Sequence, residues 1–238
     1  AVEVLRQPAV RRARGIGDEA REIVRLVEDR AARRADHHEA QLPRAVLDPR
    51  PETELLVEQG LKRLPPSGRV LDLGTGSGCI LLSVLAERPD AIGTGLDISA
   101  AALGVARSNA EALAVSERVS LVEGSWGDPT DGPFDLALSN PPYIPEADVA
   151  GLATDVRGYD PHIALTPGGD GLGPYRAILA AMPRWLKPGG CIGFEFGIDQ
   201  AAAVTMLMQQ AGLSDIEVHQ DLAGIERAAF GRRGSAAP

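Results

Sequence analysis

Apolar residues recur along the chain in two alternating patterns: short continuous runs, and longer segments with a single apolar stripe. The short runs predict strands buried on both faces, and stripes at helical spacing predict helices packed on one side. The predicted strands are Arg69–Leu73, Ile92–Asp97, Val119–Glu123, Phe134–Ser139, Gly190–Phe196, Ser214–His219 and Ile225–Gly231. The predicted helices between them are Ser77–Arg88, one that begins after Ser99, Pro174–Leu186 and Gln200–Ala211.

This alternation of strands and helices predicts an α/β fold of the Rossmann-like, doubly wound type. Crossover helices join parallel strands, and such connections are right-handed. The last two predicted strands have no helix between them, so they predict an antiparallel hairpin at the end of a mostly parallel seven-stranded sheet. Ligands of such sheets bind at the carboxyl ends of the strands, where the strand order reverses.

The first part of the chain has a different pattern. Asp18–Ala35 predicts a helix with one apolar face and an arginine-rich face, and Pro43 and Pro49 interrupt the stretch that follows. Pro51 suits the first position of the next helix, which we expect to reach about Leu64. The predicted units are a short helical segment over 1–40, a linker over 41–50, one domain over 51–233 and a disordered tail over 234–238.

Composition and charge exclude several classes of protein. The chain has 238 residues, 44% of them hydrophobic and 24% charged, as in an ordinary globular domain. No apolar run is long enough for a membrane span, and no signal peptide opens the chain. The net charge is −9 and the first 36 residues carry a small basic excess, so the negative charge lies in the body. We therefore expect neither a membrane partner nor a stable nucleic-acid partner.

The cysteines and histidines do not predict a metal site. Cys79 and Cys191 each lie in an apolar segment and form no C-x-x-C pair, which is typical of free thiols in the cytoplasm. The neighbouring residues His37 and His38 have no Cys or His partner at ligand spacing. We expect a cytoplasmic protein without a metal.

A glycine-rich turn follows the first predicted strand. The residues Asp72–Gly78 read DLGTGSG, whereas the dinucleotide fingerprint G-x-G-x-x-G would need a glycine where Cys79 stands. Glycines allow a tight turn and a close approach of a ligand to the backbone. Asp97 ends the second strand, where a carboxylate can accept hydrogen bonds from both ribose hydroxyls. The pattern predicts a nucleoside site.

A second motif follows the fourth predicted strand. Asn140-Pro141-Pro142-Tyr143 must end that strand, because proline has no N–H to donate to a sheet ladder. The corner offers an amide, rigid carbonyls and an aromatic ring beside the predicted nucleoside site.

Together these motifs resemble known methyltransferases. Asp72–Gly78 with Asp97 is similar to the S-adenosylmethionine site of Rossmann-like class I methyltransferases, and Asn140–Tyr143 narrows the likeness to enzymes that methylate planar nitrogens. Further stretches resemble the HemK-like glutamine methyltransferases, which modify the GGQ glutamine of peptide-chain release factors. These stretches are RPETELLVE at 50–58, DVRGYDPHIALTPGGDGLGPYRAI at 155–178 and FEFG at 194–197, and the likeness covers about 42–233.

The resemblance implies a cofactor, a partner and a set of site residues. The cofactor is S-adenosylmethionine, converted to S-adenosylhomocysteine, and the protein substrate is a release factor. The implied cofactor-binding residues are Gly74, Thr75, Gly76, Ser77, Gly78, Asp97, Ile98, Ser125, Trp126 and Asn140. The implied catalytic residues are Asn140, Pro141 and Tyr143, and the implied substrate-binding residues are Asn140, Pro141, Pro142, Tyr143, Glu52 and Arg157.

The chemistry of an amide explains this use of the proline corner. An amide nitrogen is a poor nucleophile because its lone pair is delocalised into the carbonyl. The Asn140 side-chain oxygen can accept one N–H of a substrate amide and the Pro141 carbonyl can accept the other, which aims the nitrogen. The Tyr143 ring can cover the substrate amide and help to exclude water from it. The deprotonation that follows needs no strong base, so we assign no general base.

Two other functions remain open on the sequence alone. The same tetrapeptide occurs in enzymes that methylate amino groups of bases in RNA or DNA, although the acidic body argues against a broad phosphate contact. A noncatalytic module that binds a nucleoside or a protein is the other alternative. HemK-like enzymes usually carry a helical N-terminal domain of several helices. The short segment before the linker therefore predicts a surface for recruiting the release factor that is reduced, altered or missing.

Overall fold

The computed structural model describes residues 51–126, 132–151 and 165–234. The predictions for the helical segment over 1–40, the linker over 41–50 and the tail after residue 234 lie outside these residues. Within them, the helices are too short or too polar to cross a membrane.

The described strands form one mixed sheet. Its seven strands are β1 (Arg69–Leu73), β2 (Ile92–Asp97), β3 (Val119–Glu123), β4 (Phe134–Ser139), β5 (Leu186–Glu195), β6 (Leu213–Gln220) and β7 (Glu226–Arg233). They lie in the order β3-β2-β1-β4-β5-β7-β6. All neighbours are parallel except that β7 is antiparallel to β5 and β6. The predicted fold class and terminal hairpin are confirmed.

Helices cover both faces of the sheet. They are α1 (Pro51–Arg63), α2 (Cys79–Glu87), α3 (Ala100–Ala112), α4 (Gly173–Ala181) and α5 (Ala201–Gln210), with 3₁₀ turns at Ser116–Arg118, Glu146–Gly151 and Met182–Arg184. Ser99 caps α3 as expected, because its Oγ accepts a hydrogen bond from Ala102 N at 3.2 Å.

The sheet separates the core into two apolar layers. On one face α1 and α2 bury Leu56, Val57, Leu81 and Leu85 in one cluster with Leu136 and Leu138 of β4. On the other face the helices α4 and α5 cover a second layer, whose largest buried side chains are Phe134, Tyr175, Trp185, Phe194 and Phe196. Burial on both faces is why β1, β4 and the second half of β5 are mainly apolar runs, whereas the outer strands β3 and β6 are largely exposed or half-buried.

The segment between α4 and β5 differs from the prediction. The helix predicted over Pro174–Leu186 ends at Ala181, and a 3₁₀ turn carries the chain through Pro183. Proline lacks the N–H that a continuing helix needs, which explains this early end. Strand β5 begins at Leu186, earlier than predicted, and its register on β4 shifts between Phe134 and Leu136.

Candidate active site

The strand order reverses between β1 and β4, and both predicted motifs lie at this point. The chain leaves β1 toward β2 and β3, then returns to place β4 on the other side of β1. Leu73 pairs with Ser139, and the Ser139 Oγ donates a hydrogen bond to the Leu73 carbonyl at 2.7 Å. The glycine turn after β1 and the proline corner after β4 therefore begin side by side.

The glycine turn is a tight loop beneath an indole ring. The N–H groups of Gly74 and Thr75 both donate to the Leu96 carbonyl, at 2.8 and 2.9 Å. Gly74 has φ 74°, in the left-handed region, and a Cβ atom on it would lie 2.8 Å from Trp126 Cη2. A larger residue would fit neither the backbone conformation nor the space.

Asp97 is tied to this loop by its carboxylate. Its Oδ2 accepts a hydrogen bond from Gly76 N at 2.8 Å, and its Oδ1 accepts one from Ser99 N at 2.9 Å. Each carboxylate oxygen can accept a further bond, and the side chain is only half-buried. Ile98, the next residue, is 59% exposed at the same edge of the sheet.

Two residues that support the loop were not singled out from the sequence. Asp72 is fully buried in β1, and its Oδ2 accepts hydrogen bonds from Thr75 Oγ1 at 2.7 Å and Leu81 N at 3.3 Å. Burial raises the pKa of Asp72 from 3.8 to about 7, and its Oδ1 has no hydrogen-bond partner among the residues that the structure describes. Asn109 Nδ2 donates to the Ser77 carbonyl at 3.0 Å. A carboxylate within an apolar run was the available signal for Asp72.

The proline corner packs tightly on its neighbours. Pro141 is buried, while Asn140, Pro142 and Tyr143 are half-buried at the carboxyl edge of the sheet. A Cβ atom on Gly197 would lie 2.9 Å from Tyr143 Cδ2, so the tyrosine ring packs directly on the glycine that follows β5. The Ile144 N–H donates to the Leu165 carbonyl at 3.1 Å, which ties the chain after the corner to the next described segment.

The end of β5 adds a buried carboxylate to this edge. Ser139 pairs with Phe194, so Asn140 and Glu195 follow next on adjacent strands. Glu195 is 2% exposed and accepts a hydrogen bond from Thr53 Oγ1 at 3.2 Å. Its backbone carbonyl accepts a bond from the Tyr175 hydroxyl at 2.9 Å. The first turn of α1 is thus fixed to the strand end beside the corner.

The remaining predicted site residues have mixed outcomes. Ser125 is exposed and Trp126 half-buried after β3, with the indole ring against Gly74. Glu52 lies in the first turn of α1, but its side chain lies outside the described part of the structure. Arg157 also lies outside it. Their predicted contacts with substrate stay predictions.

Known proteins resemble this chain in sequence. Residues 45–169 match the family model of the methyltransferase small domain. A release factor glutamine methyltransferase from Rhodospirillum rubrum is 51% identical over 193 residues, which cover 81% of this chain and 59% of that protein. One from Caulobacter vibrioides is 46% identical over 195 residues, covering 80% of this chain and 67% of that protein. This chain thus spans about three fifths to two thirds of the length of these relatives.

The fold also resembles a solved methyltransferase. The crystal structure of a methyltransferase from Pyrococcus furiosus superposes with a TM-score of 0.59 at 16% identity, covering 90% of this chain and 98% of that one. At this identity the likeness shows the fold alone.

Proposed function

Because the chain belongs to the release factor glutamine methyltransferase family, we propose that it methylates the side-chain amide nitrogen of the GGQ glutamine in a peptide-chain release factor. The observation that carries this proposal is the position of the Asn140–Tyr143 corner beside the glycine loop, at the point where strand order reverses. In this proposal the glycine loop binds a nucleoside cofactor, and the proline corner binds the nitrogen that accepts the methyl group.

The loop and its neighbours fit S-adenosylmethionine. Gly74 and Gly76 have positive φ, which glycine adopts readily, and as glycines they place no Cβ atom between a ligand and the backbone. The Asp97 carboxylate is held at the end of β2 with acceptor capacity left for ribose hydroxyls. We propose that Gly74–Gly78, Asp97, Ile98, Ser125, Trp126 and Asn140 hold this cofactor.

The corner acts on the amide nitrogen. When bound, S-adenosylmethionine would supply an electrophilic methyl group on a positively charged sulfur, and that sulfur would retain the bonding electron pair in the product S-adenosylhomocysteine. The Asn140 side-chain oxygen and the Pro141 carbonyl accept the two N–H groups of the substrate amide, and Tyr143 covers it. The nitrogen gains a methyl group and releases one proton to water, so the atoms balance without a strong base.

The corner also lowers the entropy lost on substrate binding. Pro141 and Pro142 each fix φ, so the acceptor oxygens need little reorganisation when the amide arrives. Orientation of reacting groups lowers a barrier by roughly 7–11 kcal/mol in the best cases. Glu52 and Arg157 are proposed to contact the release factor beside this corner.

Mass spectrometry of the acceptor tests the proposal. A purified release factor is incubated with the chain and S-adenosylmethionine, and the peptide that contains GGQ is analysed. We expect a gain of one methylene on the glutamine, and no gain when that glutamine is replaced by glutamate. A release factor that stays unmodified, or a methyl group found on RNA instead, would contradict the proposed substrate.

A further inference from the structure

The side chain of Gln200 connects the end of β5 to the proline corner. Its Oε1 accepts a hydrogen bond from Gly197 N at 2.9 Å, and its Nε2 donates one to the Tyr143 carbonyl at 2.9 Å. Both ends of the amide are therefore engaged with backbone. Gln200 lies directly before α5, whose Val204 N–H donates to the Gln200 carbonyl at 2.9 Å, so the helix fixes this residue in place.

Two glycines allow this close approach to Tyr143. A Cβ atom on Gly197 would lie 2.9 and 3.2 Å from the Tyr143 ring carbons Cδ2 and Cε2. A Cβ atom on Gly171, which has φ 77°, would lie 2.3 Å from the Tyr143 carbonyl oxygen and 3.2 Å from Gln200 Nε2. The ring of Tyr143 is thus held against Gly197, and its carbonyl is held against Gly171. The Gln200 side chain contacts both the Gly197 N–H and the Tyr143 carbonyl.

The position of Tyr143 affects the oxygens that the proposed function uses. Pro141 and Pro142 each have a fixed φ, so the corner moves largely as one rigid piece. The corner is anchored on one side by β4, through Ser139 Oγ, and on the other side by the Gln200 amide. Without the second anchor, the Pro141 carbonyl and Asn140 lose part of what fixes their direction.

We propose that Gln200 is a positioning residue for methyl transfer, which holds the Asn140–Tyr143 corner in the orientation that aims the acceptor amide. This role rests on the proposed function. Gln200 acts through Tyr143 and is not assigned a contact with either reactant, so its loss affects the rate of transfer more than the binding of cofactor.

Matched glutamine variants test this role. Gln200→Met removes both hydrogen bonds at similar length, and Gln200→Glu keeps an acceptor for Gly197 N but sets a carboxylate oxygen against the Tyr143 carbonyl. Gln209→Met is the control, because Gln209 is exposed near the end of the same helix. For each variant we measure kcat and KM with the release factor, the Kd for S-adenosylmethionine, the Tm, and amide hydrogen exchange at Gly197.

Both Gln200 variants are expected to lower kcat by roughly ten- to hundredfold, the size produced by a misplaced reacting group. The Kd for cofactor stays near the wild-type value, and Gly197 exchanges faster in Gln200→Met only. A kcat equal to that of Gln209→Met, measured well below each Tm, would overturn the role of Gln200, and so would a loss confined to Tm. A wild-type chain that transfers no methyl group would overturn the proposed function and this role with it.

Discussion

Asp72 is a carboxylate in a strand that is buried on both faces. Its side chain has no exposed surface. The hydrogen bonds from Thr75 and Leu81 satisfy one oxygen, while Oδ1 has no partner within the described part of the chain. Desolvation is the main cause of its raised pKa, and the nearby Asp97 adds a smaller repulsive contribution. A buried group of this kind makes the stability of the domain depend on pH.

Replacing Asp72 should remove that pH dependence. Because the pKa is 3.8 when exposed and about 7 when folded, the folded chain holds a proton between these values that the unfolded chain has released. Stability therefore falls as the pH rises from about 4 to about 7. Asp72→Asn keeps an acceptor for Thr75 and cannot ionise.

We expect the stability of Asp72→Asn relative to wild type to rise by roughly 3 kcal/mol between pH 5 and pH 8, because only wild type loses stability up to its folded pKa of about 7. Urea unfolding at both pH values measures this difference. If the free energies of unfolding of the two proteins change in parallel across that pH range, Asp72 does not titrate as its burial implies.

At the scale of elements, a single guanidinium closes the end of α2. Arg118, in the 3₁₀ turn before β3, donates to the carbonyls of Leu85, Arg88 and Ala91 at 2.8, 3.2 and 2.9 Å. The last carbonyls of a helix lack partners within the helix, and a positive charge there also interacts favourably with the helix dipole. This one side chain joins α2, the following loop and the start of β3.

Arg118→Ala should destabilise the domain by about 1–3 kcal/mol, because it leaves partly buried carbonyls without a charged donor. Arg107→Ala on the exposed surface of α3 is the matched control and should change stability by less than about 0.5 kcal/mol. Urea unfolding midpoints at constant pH compare the two. Equal changes in stability for the two variants would mean that water satisfies the three carbonyls as well as the guanidinium does.

The elements show which features a sequence can predict. The strands β1, β2, β3 and β4 have the predicted bounds, because each is a short segment rich in apolar residues with glycine, proline or aspartate at or near its ends. The end of α4 was misplaced because the pattern stays apolar through Trp185, while the missing N–H of Pro183 decides where the helix stops.

Among the site residues, too, some features could be predicted from the sequence and others could not. The glycine loop, Asp97 and the proline corner could be predicted because their chemistry is local in sequence. The bonds of Gln200 to Tyr143 and of Thr53 to Glu195 could not, since the partners are 57 and 142 residues apart and meet only through the strand order.

At the scale of the whole molecule, the sheet order brings the glycine loop and the proline corner together. The pairing of β1 with both β2 and β4 puts Asp97 on one side of the loop and Asn140 on the other. The glycine loop alone, or the proline corner alone, could be an ordinary turn. Their position side by side at the same edge of the sheet favours a site that binds a cofactor and a substrate together. Binding of the proposed cofactor should therefore stabilise the entire domain.

S-adenosylmethionine at one hundred times its Kd should stabilise the folded chain by about 2.7 kcal/mol, which raises the Tm by roughly 5–10 °C for a chain of this size. NAD at the same concentration should leave the Tm unchanged, because Cys79 stands where the dinucleotide fingerprint needs a glycine. Thermal unfolding followed by circular dichroism measures both. A larger shift with NAD would contradict the assignment of the loop.

Asn140→Ala is the variant that reports most directly on whether the proline corner aims a weakly nucleophilic amide. Calorimetry gives the Kd for S-adenosylmethionine, and mass spectrometry of the GGQ peptide gives the rate of transfer by the same protein. We predict a Kd within about threefold of wild type and a rate lower by about a hundredfold or more. A folded Asn140→Ala chain that methylates at the wild-type rate would contradict the account.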